Sequence, residues 1–260
     1  MSRVGGRQLI SLLNDCQGRR QQIVEVVAEL RLATGDQLRR MFFASGESGG
    51  RNARREFQWL HDNGLLHRLD RRIGGKASGS DGFVYALGAV GWRAVVYWSG
   101  EGLPSARSTW EPGAPFVDHT LATSELFARL RTSEGLDLLQ WQGEPSCWRS
   151  YVGGHGVAST FKPDAFLIVG DSQFEHLWFI EADQGTERAG TIARKLAAYR
   201  AYSSSGTEQR DHGLFPHVLW LTPDNRRAEA LRTLIEGDAG LCTHVVATIN
   251  EACDVLGGSR

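Results

Sequence analysis

The sequence has no long apolar run, and this absence argues against a membrane protein. No segment reaches the roughly 20 consecutive apolar residues that a helix needs to cross a bilayer. The N-terminus contains arginines, but no apolar stretch of the signal-peptide type follows them. With 41% hydrophobic and 23% charged residues, the composition is that of an ordinary globular protein. We therefore expect a cytoplasmic location and no membrane partner.

Cysteine is scarce, and its placement argues against disulfides and zinc sites. The four cysteines stand far apart, without the spacing of a zinc ligand pair or a CxxC redox motif. We expect them to be ordinary thiols in a reducing compartment. A phosphate-binding P-loop is also absent, because Gly74-Gly75-Lys76 lacks the preceding strand and following helix that such a loop requires.

The net charge of −1 conceals a strong asymmetry along the chain. Residues 1–80 carry 14 Lys and Arg against 8 Asp and Glu, a net charge of +6, whereas the remainder carries 15 against 22, a net charge of −7. A basic module joined to an acidic one indicates a polyanion-binding part and a separate second domain. A stretch rich in Gly, Pro and Ser from residue 99 to 115 predicts the linker between them.

Helical and strand patterns in the basic module predict three helices followed by a hairpin. The helices are expected at 21–32, from Thr34 onward and at 51–63, and the hairpin strands at 65–69 and 83–87. Thr34 and Gln37 have the spacing of a capping box, and Gly64 is a typical helix stop. This order is that of a winged helix-turn-helix, which we assign to residues 1–98.

The third predicted helix has one apolar and one polar face. Ala53, Phe57 and Leu60 recur at helical spacing and should pack inward. The polar residues predicted to contact double-stranded DNA are Arg51, Asn52, Arg54, Arg55 and Gln58 on the helix, and Arg68, Arg71, Arg72 and Lys76 on the hairpin. A solvated basic surface, or a winged helix used for protein contacts, would give the same pattern.

The second domain, assigned to residues 116–260, follows the order α-β-β-β-α-β-α-β and predicts a mixed sheet flanked by helices. Its candidate chemistry lies in Asp164, Glu181 and Asp183, at the ends of two predicted strands, and in Lys195 on the next helix. Carboxylates that converge in this way are suitable ligands for Mg²⁺ or Mn²⁺, and a nearby lysine stabilises charge on a phosphate. Structural roles are equally open: a turn at Asp183, and a solvated lysine.

These residues carry a resemblance to known proteins. Pro163-Asp164 and Glu181-x-Asp183 resemble the restriction-endonuclease-like PD-(D/E)xK fold. A longer pattern resembles the replication-relaxation family of bacterial plasmids and other mobile elements. It begins with the predicted winged helix and continues with Asp118-His119-Thr120-Leu121 and Glu125, Lys162-Pro163-Asp164, the residues from Ile180 to Glu187, Lys195-Leu196 and Tyr199. The resemblance implies an α+β protein, with an N-terminal winged helix-turn-helix joined to a restriction-endonuclease-like α/β domain.

The sequence departs from the nuclease pattern at one position. Nucleases of this fold carry lysine where this chain has Asp183, although some members move the lysine to the following helix, where Lys195 lies. Three functions therefore remain open: a DNA-binding regulator of replication or transcription with an inactive second domain, a metal-dependent endonuclease or nickase, and an interaction protein that forms homodimers. The regulator is our expectation, with no cofactor unless Mg²⁺ or Mn²⁺ is bound.

Overall fold

The computed structural model describes residues 6–72, 82–101, 112–237, 240 and 242–258. The chain divides into two compact units, and the boundary lies between Ser124 and Glu125. In the N-terminal unit the elements are α1 (Gly6–Asp15), α2 (Arg19–Leu30), β1 (Leu32–Thr34), α3 (Gly35–Phe42), α4 (Glu47–Asp62), β2 (Leu66–Arg72), β3 (Phe83–Leu87) and α5 (Ala89–Trp98). Helix α6 (Ala114–Thr132) spans the boundary.

The N-terminal unit contains a small antiparallel sheet in the order β1-β3-β2. Its strands contribute Leu32, Leu69 and Val84 to a buried cluster that also includes Val117 and Leu121 of α6. The start of α6 is also hydrogen-bonded to this unit, since the Gln37 side chain donates to the Leu121 carbonyl (3.2 Å) and the Ser124 hydroxyl donates to the Leu32 carbonyl (2.6 Å). The first part of α6 therefore belongs to the N-terminal unit.

Local sequence signals place the ends of α3 and α4. The capping box at α3 is confirmed: Thr34 Oγ1 accepts from the Gln37 amide at 3.1 Å, and Gln37 Oε1 accepts from the Thr34 amide at 2.8 Å. Gly64 has a φ of +69°, a conformation that favours glycine after a helix end. The expected start of α4 was wrong, because the helix begins at Glu47 and includes Gly49, which approaches the Ala44 carbonyl too closely for a side chain.

The C-terminal unit is built on one mixed sheet. Its elements after α6 are β4 (Asp137–Gly143), β5 (Arg149–Val152), β6 (Ala158–Phe161), β7 (Ala165–Gly170), β8 (Glu175–Ala182), α7 (Ala189–Ser204), α8 (Thr207–His212), β9 (His217–Thr222), α9 (Asn225–Ile235), β10 (His244–Thr248) and α10 (Ala252–Leu256). The five-stranded sheet has the order β10-β9-β8-β7-β4, with parallel pairing among β8, β9 and β10 and antiparallel pairing among β4, β7 and β8. The predicted mixed sheet flanked by helices is confirmed.

The residue pattern predicts a single strand over 161–169, but the structure divides this stretch between the end of β6 and the greater part of β7. The segment Lys162-Pro163-Asp164 interrupts it, so β6 ends at Phe161 and pairs with β5 in a separate hairpin, while β7 starts at Ala165. Proline lacks an amide proton and breaks a strand ladder. Asp164 consequently lies just before β7, beside the end of β8, where its amide donates to the Ile180 carbonyl at 3.0 Å.

The C-terminal core lies between the sheet and helices α7 and α9. Large buried side chains from both layers form it, including Phe166, Phe179, Trp220, Tyr199 and Tyr202. Along β8 the last six residues are all buried, which makes this central strand a rigid support for the polar residues at its end. Among the described residues no helix is both long and apolar enough to cross a membrane.

Candidate functional site

The polar face of α4 is exposed over its whole length. All five polar residues predicted to contact DNA from this helix are solvent-exposed, namely Arg51, Asn52, Arg54, Arg55 and Gln58. The contacts of the arginines are weak, since Arg51 Nη1 lies 3.5 Å from Glu47 Oε2 and Arg55 Nη2 lies 3.5 Å from Asn52 Oδ1. Gln58 is held more closely, because its Nε2 donates to Asp62 Oδ1 at 2.6 Å. Since such exposed contacts contribute little, these side chains are available to bind a partner.

The opposite face of α4 fixes the helix on its unit. Ala53, Phe57 and Leu60 are buried, as predicted. The centre of the Phe57 ring lies 5.7 Å from that of the Phe43 ring, in an edge-to-face contact, and 5.4 Å from that of the Tyr85 ring. This aromatic packing determines which face of the helix points toward the core. The arginines are therefore presented outward by the same packing that buries the apolar stripe.

Arg68 extends this surface from the helix to the hairpin. Its guanidinium donates a hydrogen bond to Gln58 of α4 and lies 4.8 Å from the centre of the Phe83 ring on β3. Arg71 and Arg72 end strand β2, but their side chains, like Lys76, lie outside the described residues. The structure thus brings Arg68 together with the α4 face.

A cavity of about 500 Å³ opens beside the start of α4, and arginines Arg39, Arg51 and Arg54 line it together with Glu47. Because the helix begins at Glu47, this carboxylate occupies the first turn and the arginines begin one turn later. A helix that starts at Arg51, as the sequence pattern predicts, would place three arginines at its N-terminus, where positive charge is unfavourable. The observed helix has an acidic first turn instead, which is favourable. The basic surface remains, but helix electrostatics alone do not require an anion there.

Arg20 of α2 is a contact of α4 that sequence reasoning missed. Its Nε lies 2.5 Å from Glu56 Oε2, and its guanidinium lies 3.9 Å from the centre of the Trp59 ring. The pair consumes the one acidic side chain in the middle of α4, Glu56. The Arg20 contact balances the charge of Glu56, and the other two carboxylates of the helix, Glu47 and Asp62, lie exposed near its two ends.

In the C-terminal unit, Glu181 lies at the end of β8 and is only 2% exposed. Its Oε1 accepts a hydrogen bond from the Tyr199 hydroxyl at 2.8 Å, and its Oε2 lies 2.8 Å from Lys195 Nζ. Lys195 Nζ also lies 2.8 Å from Glu187 Oε1. A buried carboxylate is costly unless it is paired and hydrogen-bonded. Here α7 supplies both partners, because Lys195 and Tyr199 are one turn apart on one face of that helix.

Asp164 lies beside this pair and shapes its protonation. Asp164 Oδ2 accepts from the Ala182 amide at 2.8 Å. Burial raises the pKa of Glu181 above its usual range, and the nearby charge of Asp164 raises it further. Burial acts to lower the pKa of Lys195, but attraction to Glu181 and Asp164 outweighs it and keeps the lysine protonated. The structure therefore brings together Asp164, Glu181 and Lys195.

Asp183 does not join them, contrary to the expectation that three carboxylates converge. Strand β8 ends at Ala182, and the amide of the next residue, Asp183, still donates to the Leu221 carbonyl of β9 at 2.9 Å. Instead Asp183 Oδ2 accepts from Arg227 of α9, at 3.0 Å from Nε and 2.5 Å from Nη2. Arg227 also donates to the Glu187 carbonyl at 2.8 Å. Arg227 was missed in the sequence, where it reads as one of two adjacent arginines on an amphipathic helix.

This donor set does not fit a resident divalent metal. Within the described ranges no group of three or more His, Cys, Asp or Glu side chains is placed to hold a metal ion together. Each carboxylate already has a hydrogen-bonding or cationic partner from the protein: Asp164 the Ala182 amide, Glu181 Lys195 and Tyr199, and Asp183 Arg227. The repulsion expected among unpaired carboxylates is therefore relieved by cations and donors of the chain itself.

The protein thus consists of two units, one with an exposed basic helix and one with buried carboxylates that pair with cations of the chain. The sequence matches the model of the replication-relaxation family over residues 24–218, and the chain belongs to that family. No curated protein and no solved structure matches the chain.

Proposed function

We propose that the protein binds double-stranded DNA through its N-terminal unit and acts in replication or transcription control of a plasmid or other mobile element. The observation that carries this proposal is the exposed face of α4, on which Arg51, Arg54 and Arg55 lie beside Asn52 and Gln58. An α-helix with this composition fits the major groove, where arginine recognises guanine and Asn or Gln recognises adenine.

The arrangement around α4 supports a winged helix in particular. Helices α2, α3 and α4 precede the β2–β3 hairpin, and β1, which lies between α2 and α3, completes a three-stranded antiparallel sheet with the order β1-β3-β2. In that architecture the last helix enters the major groove and the hairpin after it lies along the phosphates. Arg68, which contacts both Gln58 and Phe83, is placed for a phosphate contact between the two. Family membership supports the role in replication of a mobile element.

Salt dependence of duplex binding tests this proposal on the full chain. Binding through several arginines releases counterions from the DNA, so the logarithm of the association constant should fall linearly with the logarithm of salt concentration, with a slope of about −0.9 per phosphate contacted. Fluorescence anisotropy with a mixed-sequence duplex measures this slope. We expect a slope of about −3 or steeper. Undetectable duplex binding at low salt would rule out the proposed function.

For the C-terminal unit we propose a nuclease-like domain without robust cleavage activity. The paired state of its carboxylates supports this, because a metal ion at Asp164 and Glu181 would meet the positive charge of Lys195 and would have to replace that ion pair (2.8 Å). The competing hypothesis is a metal-dependent endonuclease or nickase that uses Asp164, Glu181, Asp183 and Lys195. It draws support from the closeness of Asp164, Glu181 and Lys195 and loses support from the Arg227 contact of Asp183.

A supercoiled-plasmid assay separates the two hypotheses. With Mg²⁺ or Mn²⁺ added to the purified protein, we expect no conversion to nicked or linear DNA above that of a preparation carrying Asp164→Ala. The comparison controls for contaminating nucleases, because the variant is purified in the same way. Efficient nicking by the wild type that is lost in both Asp164→Ala and Lys195→Ala would establish the enzyme instead.

A further inference from the structure

A surface cleft of about 330 Å³ in the C-terminal unit combines an apolar base with a basic rim. Thr160 and Lys162 line it from β6 and the residue just after it, and Thr191, Arg194 and Lys195 line it from α7. Phe161, Ala198 and Tyr199 contribute its apolar lining, and Glu181, which is paired with Lys195, also lines it. A volume of this size lies at the lower end of the range of about 300–1,000 Å³ in which proteins bind small ligands.

Lysine usage marks this cleft as unusual within the chain. Only three of the 29 Lys and Arg residues of the protein are lysines. Two of the three, Lys162 and Lys195, line the cleft. This concentration occurs in the acidic part of the chain, where residues 81–260 have a net charge of −7. Because carboxylates outnumber Lys and Arg in these residues, a cation on an ordinary solvated surface there would be expected to pair with a carboxylate.

The cations of the cleft divide into a paired one and two unpaired ones. Lys195 is balanced by Glu181 and Glu187. Within the part of the chain that the structure describes, neither Lys162 nor Arg194 forms an ion pair with a carboxylate. The rim of the cleft therefore carries about two positive charges that no carboxylate among the described residues neutralises.

Both unpaired cations are held in place by neighbouring groups. Lys162 Nζ lies 4.3 Å from the centre of the Trp148 ring. The guanidinium of Arg194 donates to the Gly190 carbonyl at 3.3 Å and to Thr191 Oγ1 at 3.1 Å. These contacts restrict the two exposed side chains, and a restricted cation loses less conformational entropy when it binds an anion.

We propose that this cleft binds a nucleotide and that Lys162 and Arg194 contact its phosphate. An arginine fork and a lysine are the side chains that bind phosphate best, and the hydroxyls of Thr160 and Thr191 provide additional donors. The apolar base below them takes part of the attached nucleoside, which makes the ligand a phosphate ester rather than an inorganic anion. The shared chemistry is a terminal phosphate, carried either by a free mononucleotide or by the end of a nucleic-acid strand.

Isothermal titration calorimetry of the full chain with AMP, adenosine and a 5′-phosphorylated single-stranded oligonucleotide tests the proposal. At least one phosphorylated probe should bind, adenosine should bind at least tenfold more weakly, and Lys162→Ala/Arg194→Ala should weaken the phosphorylated probe at least tenfold. The matched control is Arg210→Ala/Arg226→Ala, which removes the same charge from exposed positions that do not line the cleft and should leave binding unchanged.

Each probe has a defined meaning. Binding of AMP identifies a free nucleotide as a ligand, and binding of the oligonucleotide alone identifies a strand end; both support the cleft as a phosphate site. The proposal is overturned if neither phosphorylated probe binds, if adenosine binds as tightly as AMP, or if the cleft double variant binds like the wild type. These results do not bear on duplex binding by α4, because no residue of the cleft belongs to the N-terminal unit.

Discussion

Replacement of Arg51 and Arg55 by alanine should weaken duplex binding by roughly 30-fold or more. Each arginine that contacts a base edge or a phosphate contributes about 1–3 kcal/mol, and two losses at the lower end of this range give that factor. If both contacts are to phosphates, the salt dependence should also become shallower by about 2 in log–log slope. Anisotropy titrations over a range of salt concentrations measure both effects.

The fold should survive this double substitution. Both side chains are exposed, and their nearest acceptors are 3.5 Å away, so the free energy of unfolding should change by less than about 1 kcal/mol. Arg210→Ala/Arg226→Ala, with the same loss of charge in the C-terminal unit, is the control and should retain wild-type affinity. An Arg51→Ala/Arg55→Ala protein that is folded and binds duplex normally would remove α4 from the proposed interface.

The second large effect concerns stability. Lys195→Ala leaves the carboxylate of Glu181 buried without its cation, and we expect the free energy of unfolding near pH 8 to fall by about 2–4 kcal/mol, since breaking a buried pair leaves an uncompensated charge. The remaining donor, Tyr199, stays protonated, because burial and then Glu181 raise its pKa well above the ordinary value. Urea unfolding followed by circular dichroism measures the change.

This destabilisation should depend on pH with a defined sign. Without the cation the pKa of Glu181 rises further above its unfolded value, so the folded variant retains a proton that the unfolded chain releases. Its stability should therefore be highest near or below the ordinary carboxyl pKa of about 4.3 and should fall as the pH rises toward the raised value. Glu181→Gln/Lys195→Met, which removes both charges, should recover most of the loss. A penalty that is equal at acid and alkaline pH would show that the ion pair is not its cause.

Much of the N-terminal unit was predictable because its signals are local. The capping box of Thr34 and Gln37, the stop at Gly64 and the strand 83–87 depend on residues a few positions apart, and all three are confirmed. Strand β1 was missed because three residues, Leu32–Thr34, carry too little alternation to indicate a strand. Its pairing with β3, more than fifty residues away, supplies what the local pattern lacks.

The C-terminal site was less predictable because its contacts are long-range. The approach of Asp164, Glu181 and Lys195 followed from strand order and was expected. Asp183 instead contacts Arg227, and these two residues are 44 positions apart in the sequence. No local pattern distinguishes Arg227 from Arg226, its exposed neighbour. The sequence therefore identified the carboxylates at the ends of the strands, but it did not predict which side chains pair with them.

Site-specific photocrosslinking tests the central claim, duplex binding by the α4 face, most directly. A benzophenone amino acid is placed at Asn52, which is exposed on α4, or at Glu229, which is exposed on α9 in the other unit. Each full-length protein is irradiated with a labelled duplex at low salt. We predict a crosslink from position 52 that unlabelled duplex competes away, and none from position 229. A protein that binds the duplex but crosslinks only from position 229 would contradict the account.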